Sequence, residues 1–394
     1  MELELEIKKI AFGGDGIAAV NGKTCFVEGS LPDEKVLVKV VQDKKNFLRA
    51  KLVKVLTPSP HRIEPPCPYV SHCGGCQYQH ISYEEELRIK ETQAREILSR
   101  GAGVAGELVK PICAAEKDFG YRNSITLHLS KSAGLKKKPV IGFIGRDNES
   151  IIPIQNCLIA DPRFLPVFQA NIKLKGRKDK ITFKLSDKGE IISDETKKFF
   201  RIKIGKETLL TSSEGFFQNN LPMTELLTGR VSEWIKALRP KSFFDLFSGV
   251  GTFSFLCAKD VEEIYCIEDN VPSLEALKMN KEEKHLSQMK ILAGSVEKTF
   301  PKIWEEKKGN HSIVLLDPPR QGLEAGFARY LSSRNDIDHL IYVSCDPATC
   351  ARDLKIILEK ENFKVKEIIP FDMFPKTKHI ELLVLLEAKS AYIV

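Results

Sequence analysis

At 394 residues the chain is too long for one ordinary hydrophobic core, so two or three domains are expected. A content of 42% hydrophobic and 29% charged residues excludes a disordered or membrane-embedded class. The net charge of +7, from 60 basic and 53 acidic residues, is too small to imply a nucleic-acid partner by itself.

The chain begins Met1-Glu2-Leu3-Glu4-Leu5-Glu6, acidic and alternating, unlike the basic start of a signal peptide. No apolar run approaches the roughly 20 residues of a spanning helix. A cytoplasmic protein is expected, whose ten cysteines serve as ligands, nucleophiles and core residues rather than in disulfides. Residues 1–56 read as a small β domain. Alternating segments over Glu2–Ile10, Lys23–Val27, Lys35–Val41 and Arg49–Leu56 are separated by turns at Gly13-Gly14-Asp15-Gly16, Asn21-Gly22 and Leu31-Pro32-Asp33. Strands so short and so close suggest a compact, OB-like barrel.

A proline-rich connector leads to Cys67, Cys73 and Cys76, spaced C-x5-C-x2-C with Gly74-Gly75 between the last two. Cys157 is a candidate fourth ligand. Thiolates at this spacing suit a metal centre, and spacing alone leaves zinc and iron–sulfur both open. Tyr83, Leu87, Ala94, Ile97 and Leu98 then predict an amphipathic helix. Strand-like runs at Ser124–Leu129, Val140–Ile144, Ile151–Ile154, Ile181–Leu185 and Phe199–Ile204 make the stretch to about 208 a β-rich central domain. Two basic segments fall in it: Lys136-Lys137-Lys138, and Lys173, Lys175, Arg177, Lys178, Lys180 and Lys184. They suit a phosphate-facing surface or a solvated loop face.

From about 209 apolar strand-like runs alternate with helical stretches, which predicts an open α/β sheet covered by helices. Its first strand runs into Asp245-Leu246-Phe247-Ser248-Gly249-Val250-Gly251-Thr252-Phe253. Gly249 and Gly251 let the backbone turn sharply toward a ligand at a helix N-terminus. The second strand ends at Glu268, placed to accept hydrogen bonds from ribose hydroxyls. Ser254 stands three after Gly251, so the dinucleotide motif is not completed. The Asp-x-Phe-x-Gly-x-Gly form resembles S-adenosylmethionine-dependent methyltransferases instead.

The fourth strand ends in Leu316-Asp317-Pro318-Pro319-Arg320 and the fifth in Ser344-Cys345-Asp346-Pro347. Ligands of open α/β sheets bind beyond the carboxyl ends of the strands, so these motifs converge on one crevice. Asp317 can accept hydrogen bonds from a planar polar substrate, and Cys345 is a candidate nucleophile. Cys25, Cys113, Cys257, Cys266 and Cys350 read as small core residues. The last motif, Phe374–Glu381, brings His379 and Glu381 to the same rim, either one a candidate for proton transfer.

With these motifs in this order, the whole chain resembles the RNA 5-methyluridine methyltransferases, which methylate uracil C5 in ribosomal or transfer RNA. The likeness is carried by Cys67-x5-Cys73-Gly-Gly-Cys76-Gln77-x-Gln79-His80-x2-Tyr83, by Gly120-Tyr121-Arg122-Asn123 and by Gly215-Phe216-Phe217-Gln218-x-Asn220. Asp245–Phe253, Leu316–Arg320, Val343–Pro347 and Phe374–Glu381 complete it. The resemblance implies a TRAM domain at 1–56 and a central domain at 57–208 holding a 4Fe–4S cluster on Cys67, Cys73, Cys76 and Cys157. It further implies a Rossmann-like methyltransferase domain at 209–394, with a helix at about 84–110 packed onto it.

By the same resemblance, Cys345 attacks uracil C6 and Glu381 removes the C5 proton. Gln218, Phe247, Gly249, Gly251, Thr252, Glu268, Ser295 and Asp317 would hold S-adenosylmethionine. Ser295 departs from the Asp or Asn of many relatives and reaches less far toward adenine. The implied partner is RNA, with the target base flipped out of its stack. No membrane partner is expected, and the chain is expected to act as a monomer. A TRAM domain with four cluster cysteines looks most like the enzymes of 23S ribosomal RNA, with the T-loop uridine of transfer RNA as the alternative. A non-catalytic iron–sulfur RNA-binding protein is the rival class, and intact Cys345 and Glu381 argue against it.

Overall fold

A computed structural model of the chain describes residues 1–130, 140–170, 172, 179–307 and 311–389. The first part is a barrel of short strands: β1 (Glu2–Glu6), β2 (Lys9–Ile10), β3 (Asp15–Val20), β4 (Lys23–Glu28), β5 (Lys35–Asp43) and β6 (Phe47–Thr57). Alternate residues point inward, and Ile7, Ala18, Cys25, Val27, Val36, Val38, Leu48 and Ala50 fill the interior. Asn21 and Gly22, at φ of 48° and 78°, form the tight turn between β3 and β4. The sheet order is β1-β5-β6-β4-β3-β2. Because β1 and β2 follow one another along one extended segment, the sheet closes on itself.

Helix α1 (Tyr83–Ala102) ends at Gly103, whose φ of 68° suits the left-handed stop. It therefore stops short of the expected 110. Beyond it residues 109–113 run extended beside the catalytic sheet. Strands β7 (Ser124–Leu129), β8 (Ile141–Ile144) and β9 (Ile151–Ile152), the short helix α2 (Leu165–Gln169), and strands β10 (Lys180–Leu185) and β11 (Ile191–Ser193) form the central unit. Its antiparallel sheet is ordered β11-β10-β7-β8-β9 over a core of Ile125, Leu127, Phe164, Ile181 and Leu185. Next, β12 (Phe199–Ile204) and β13 (Glu207–Ser212) pair as a hairpin that crosses position 208. Ile202 and Ile204 pack with Val250 and Ala276 of the following unit.

That unit runs α3 (Leu221–Leu238), β14 (Ser242–Leu246), α4 (Thr252–Cys257), β15 (Glu263–Glu268), α5 (Val271–Glu283), β16 (Met289–Ala293), α6 (Val296–Lys307) and β17 (Ser312–Leu316). It continues with α7 (Ala325–Ser332), β18 (His339–Ser344), α8 (Pro347–Ile357), β19 (Phe363–Phe371) and β20 (Glu381–Ala388). Among the described residues its sheet is ordered β16-β15-β14-β17-β18-β20-β19, with β20 antiparallel to both neighbours. The β14 and β17 strands are buried throughout, and successive residues serve opposite faces. Phe243, Ile264, Ile313 and Ile341 belong to one apolar cluster, whereas Phe244, Tyr265, Val314 and Leu340 belong to the other.

Helix α1 completes the second face with Ala94 and Leu98. It crosses α8 so closely that a Cβ on Gly101 would stand 2.7 Å from the Ala351 methyl. Residues 109–113 pair in parallel with β19 through Lys110 N to Ile368 O and Cys113 N to Pro370 O, both at 2.8 Å. The catalytic sheet edge is thereby covered by chain that precedes the central unit. Among the described residues no helix is long and apolar enough to cross a membrane.

Candidate active site

The strand order reverses between β14 and β17, and the loops after both strands open on the same side. After β14 the backbone enters the left-handed region at Phe247, Gly249 and Gly251, with φ of 62°, 56° and 88°. A side chain is strained there, so Phe247 is held against its preference, as happens at functional sites. Nothing lies within 4 Å of a Cβ built on Gly249, so its backbone faces open space. A Cβ on Gly251 would meet Phe255 at 2.5 Å and Leu277 at 2.6 Å. Beneath the turn, buried Asp245 accepts hydrogen bonds from Ser254 Oγ at 2.6 Å and Ser254 N at 3.1 Å. Burial pushes the Asp245 carboxyl up to about 7, and its Oδ1 has no partner.

Glu268, at the end of β15, is tied down by backbone donors. Its Oε2 accepts from Gly249 N at 2.7 Å, and its Oε1 from Asn270 N at 2.7 Å and Asp269 N at 3.1 Å. Burial nevertheless raises its pKa. Thr252 opens α4, and Ser295 precedes α6, where its carbonyl accepts from Thr299 N at 3.0 Å. Gln218 is half-buried beside Phe217, which packs against Val250, and its carbonyl accepts from Asn123 Nδ2 at 3.1 Å. Gln218, Thr252 and Ser295 thus border the glycine turn and the neighbouring strand ends, without side-chain hydrogen bonds to one another.

Asp317, Cys345 and Glu381 form the second half of the crevice. Cys345 follows β18, and Asp346 caps α8 by accepting from Thr349 N at 2.9 Å. Glu381 is the first residue of β20, which runs antiparallel and so begins where its neighbours end. It is 3% exposed, and burial, then the charge of Asp317, pushes its carboxyl up to about 8 against the pull of Arg320. Burial and the Glu381 carboxylate push the Cys345 thiol up to about 12, with Arg320 opposing. Burial and Glu268 hold the Asp317 carboxyl at about 7. In the free enzyme both the Cys345 thiol and the neighbouring Glu381 carboxyl mostly hold their protons at neutral pH. Proton transfer and thiol addition are the chemistry such a group can perform.

Arg320 is the residue that sequence reasoning left without a role. It touches the same site electrostatically as Cys345, Glu381 and His379. Its position directly after Asp317-Pro318-Pro319 was the available signal. Burial, then Arg320, lowers the His379 pKa to about 4, so the ring is neutral at pH 7.

Cys67, Cys73, Cys76 and Cys157 line a cavity of about 470 Å³ together with Arg122, Arg320, Phe374 and His379. This cavity therefore reaches from the cysteines to the rim that carries Glu381. Burial raises the Cys73 and Cys157 thiols and takes Cys76 to about 12. Among the described residues no three His, Cys, Asp or Glu side chains converge closely enough to hold a metal ion. Cys25, Cys257, Cys266 and Cys350 are buried, and Cys113 is half-buried beside β19.

The expected basic surface needs one correction. Lys184 is buried, and its Nζ donates to the carbonyls of Ser212, at 3.1 Å, and Gly215. An amine enclosed by two carbonyls is unavailable to phosphate. Lys180 is exposed, while Lys136–Lys138, Lys173, Lys175, Arg177 and Lys178 lie outside the described residues.

An open α/β sheet with an antiparallel β20 and a glycine turn facing two carboxylates defines a Rossmann-like methyltransferase. The chain belongs to the tRNA (Uracil-5-)-methyltransferase family, whose profile matches residues 167–389, and a TRAM domain profile matches residues 1–53. It is an RNA methyltransferase of the uracil-5 type. An uncharacterized RNA methyltransferase of Treponema denticola is 30% identical over 96% of this chain and 97% of its own. One from Clostridium tetani is 28% identical over 95% of this chain and 93% of its own. The crystal structure of Pyrococcus abyssi tRNA (uracil-54, C5)-methyltransferase in complex with S-adenosyl-L-homocysteine matches with a TM-score of 0.74. It covers 98% of this chain and 100% of that one at 23% identity, a likeness of fold.

Proposed function

We propose that the enzyme methylates uracil C5 in RNA with S-adenosylmethionine as donor, through a covalent bond between Cys345 and uracil C6. The observation that carries this reading is the gathering of Cys345, Glu381, Asp317 and Arg320 at one rim beside the glycine turn. Cys345 gives up its thiol proton to solvent as its sulfur bonds to C6, and the π pair of C5=C6 moves onto C5 and O4. C5 then takes the methyl group from the sulfonium, whose C–S pair returns to sulfur. Loss of the C5 proton to Glu381 restores the double bond and expels the thiolate. Asp317 holds the uracil edge, Glu268 the ribose, and Gln218, Phe247, Gly249, Gly251, Thr252 and Ser295 the rest of the donor.

The same reading gives Cys67, Cys73, Cys76 and Cys157 a 4Fe–4S cluster. Four thiols on one cavity wall are the soft donor set such a cluster takes. A single zinc would need sulfurs about 3.8 Å apart, given zinc–sulfur bonds of about 2.3 Å. When bound, the cluster supplies a cross-link rather than electrons, because the reaction moves no net electrons.

The RNA is 23S ribosomal RNA on the domain and cysteine pattern. The fold likeness to an enzyme acting on tRNA uracil-54 supports transfer RNA as the second reading. Methyl-labelled S-adenosylmethionine with RNA from a strain lacking this gene tests both. The expected product is 5-methyluridine in one RNA class, with a denaturant-resistant protein–RNA adduct. Methylation at another atom, or of no RNA, refutes the proposal.

A further inference from the structure

The loop that delivers Glu381 is gripped at almost every polar group, and much of the grip comes from the cysteine segment. Lys376 sits in this loop at φ of 65°, a left-handed conformation that lysine adopts only when its surroundings impose it. Its carbonyl accepts from Gln77 N at 2.9 Å and Tyr78 N at 3.0 Å, directly after Cys76. Its own N–H donates to Glu86 Oε1 at 2.6 Å. Its buried ammonium pairs with Asp118 at 3.0 Å and Glu86 at 3.3 Å, over the rings of Tyr83 and Phe119.

One side chain links the two loops outright. Gln77 Nε2 donates to Gly74 O at 2.9 Å, inside the Cys73–Cys76 turn. Gln77 Oε1 accepts from Lys378 N at 3.0 Å, three residues before Glu381. Fully buried Lys90 secures the other end, donating to Asp372 at 2.7 Å and to Phe374 O at 3.2 Å.

We propose that Gln77 and Lys376 are positioning residues that transmit the shape of the cysteine turn to the Glu381 carboxylate. The proposal rests on the reading of Cys345 as nucleophile and Glu381 as base. It assigns the cysteine turn to one half of the reaction. Adduct formation uses Cys345, on the β18–α8 junction, which neither residue touches. Adduct resolution uses Glu381, at the end of the gripped loop. Loosening the grip should slow the second half and spare the first.

The test uses full-length, anaerobically purified protein and RNA from a strain lacking the gene, with uridine tritiated at C5. Adduct formation is read by a denaturing gel, and proton removal by tritium release. For Gln77→Leu and, separately, Lys376→Met, adduct formation should stay within about twofold while tritium release falls about tenfold to a hundredfold, the scale of a displaced catalytic group. KM for RNA should not change. Gln77→Glu keeps the acceptor for Lys378 N–H but loses the donor to Gly74 O, so its tritium release should stay slow with adduct formation spared, and full recovery of release would overturn the link to the cysteine turn.

Gln77 is only half-buried, so its variants can be assayed even where Lys376→Met fails to fold. Equal slowing of both halves, or unchanged release in Gln77→Leu, overturns the proposal. Absence of any adduct in both wild type and Glu381→Gln instead overturns the nucleophile assignment beneath it.

Discussion

Replacing Glu381 by glutamine keeps the side-chain volume and removes a buried carboxyl that titrates. The folded-state pKa stands at about 8 against an ordinary 4.5, with burial the main cause. Because the folded pKa is raised, the fold is favoured while the group is protonated. That advantage is complete below about pH 4.5 and is lost as pH rises through 8. Integrated to pH 7, a rise of this size costs the wild type about 3 kcal/mol, at 1.36 kcal/mol per unit. Glutamine carries no such cost. The variant should therefore match wild type near pH 4.5 and exceed it increasingly up to pH 8. For a unit of this size about 3 kcal/mol at pH 7 corresponds to a rise in Tm of roughly 6–12 °C. Thermal denaturation of both proteins from pH 5 to 8.5 measures the difference. In the same variant the covalent RNA adduct should form and persist, since no base removes the C5 proton. A Tm difference that does not change with pH refutes the burial argument, and prompt product release refutes the role as base.

Cys345→Ala should abolish methylation and adduct formation while leaving the affinity for RNA within about threefold, measured by filter binding, if Cys345 is the nucleophile. Gly251→Ala places a Cβ against Phe255 and Leu277 at a φ of 88° and should destabilise the protein by about 2–3 kcal/mol. Its S-adenosylmethionine affinity, read by calorimetry, should fall with it. Anaerobically purified wild type should show the broad visible absorption of iron–sulfur thiolate charge transfer. Cys157→Ser should lose most of it, and colourless wild-type protein containing zinc would contradict the cluster assignment.

Local patterns made some of this architecture readable in advance and hid the rest for definite reasons. The barrel is written in period-2 alternation and an Asn-Gly turn, both properties of adjacent residues. The α/β sheet is written in continuous apolar strands, because burial on both faces removes the alternation. Glu268 and Cys345 could be placed because strand ends in an open sheet share one rim. The β12–β13 hairpin defeated a simple division near 208, since alternation identifies a strand but not the unit on which it packs. Lys184 read as surface because lysine usually is; only the tertiary structure supplies the carbonyls of Ser212 and Gly215. The grip on Lys376 was invisible for the same reason. Its partners Gln77, Glu86 and Asp118 lie in separate stretches of chain far upstream.

Helix α1 has a consequence for how the protein is made. Lys90 and Asp372, which bond in the finished fold, are 282 residues apart in the chain. At roughly 5–20 residues per second, the ribosome delivers Asp372 about 15–55 s after Lys90. Throughout that interval Ile89 and Gln93 of α1 can already dock on the barrel, and Lys90 can pair with Glu86, but the Ala94–Leu98 face lacks the catalytic sheet and α8. The early helix must wait half-docked until the last strands arrive, so release of the complete chain, rather than any single domain, sets the moment at which the enzyme closes.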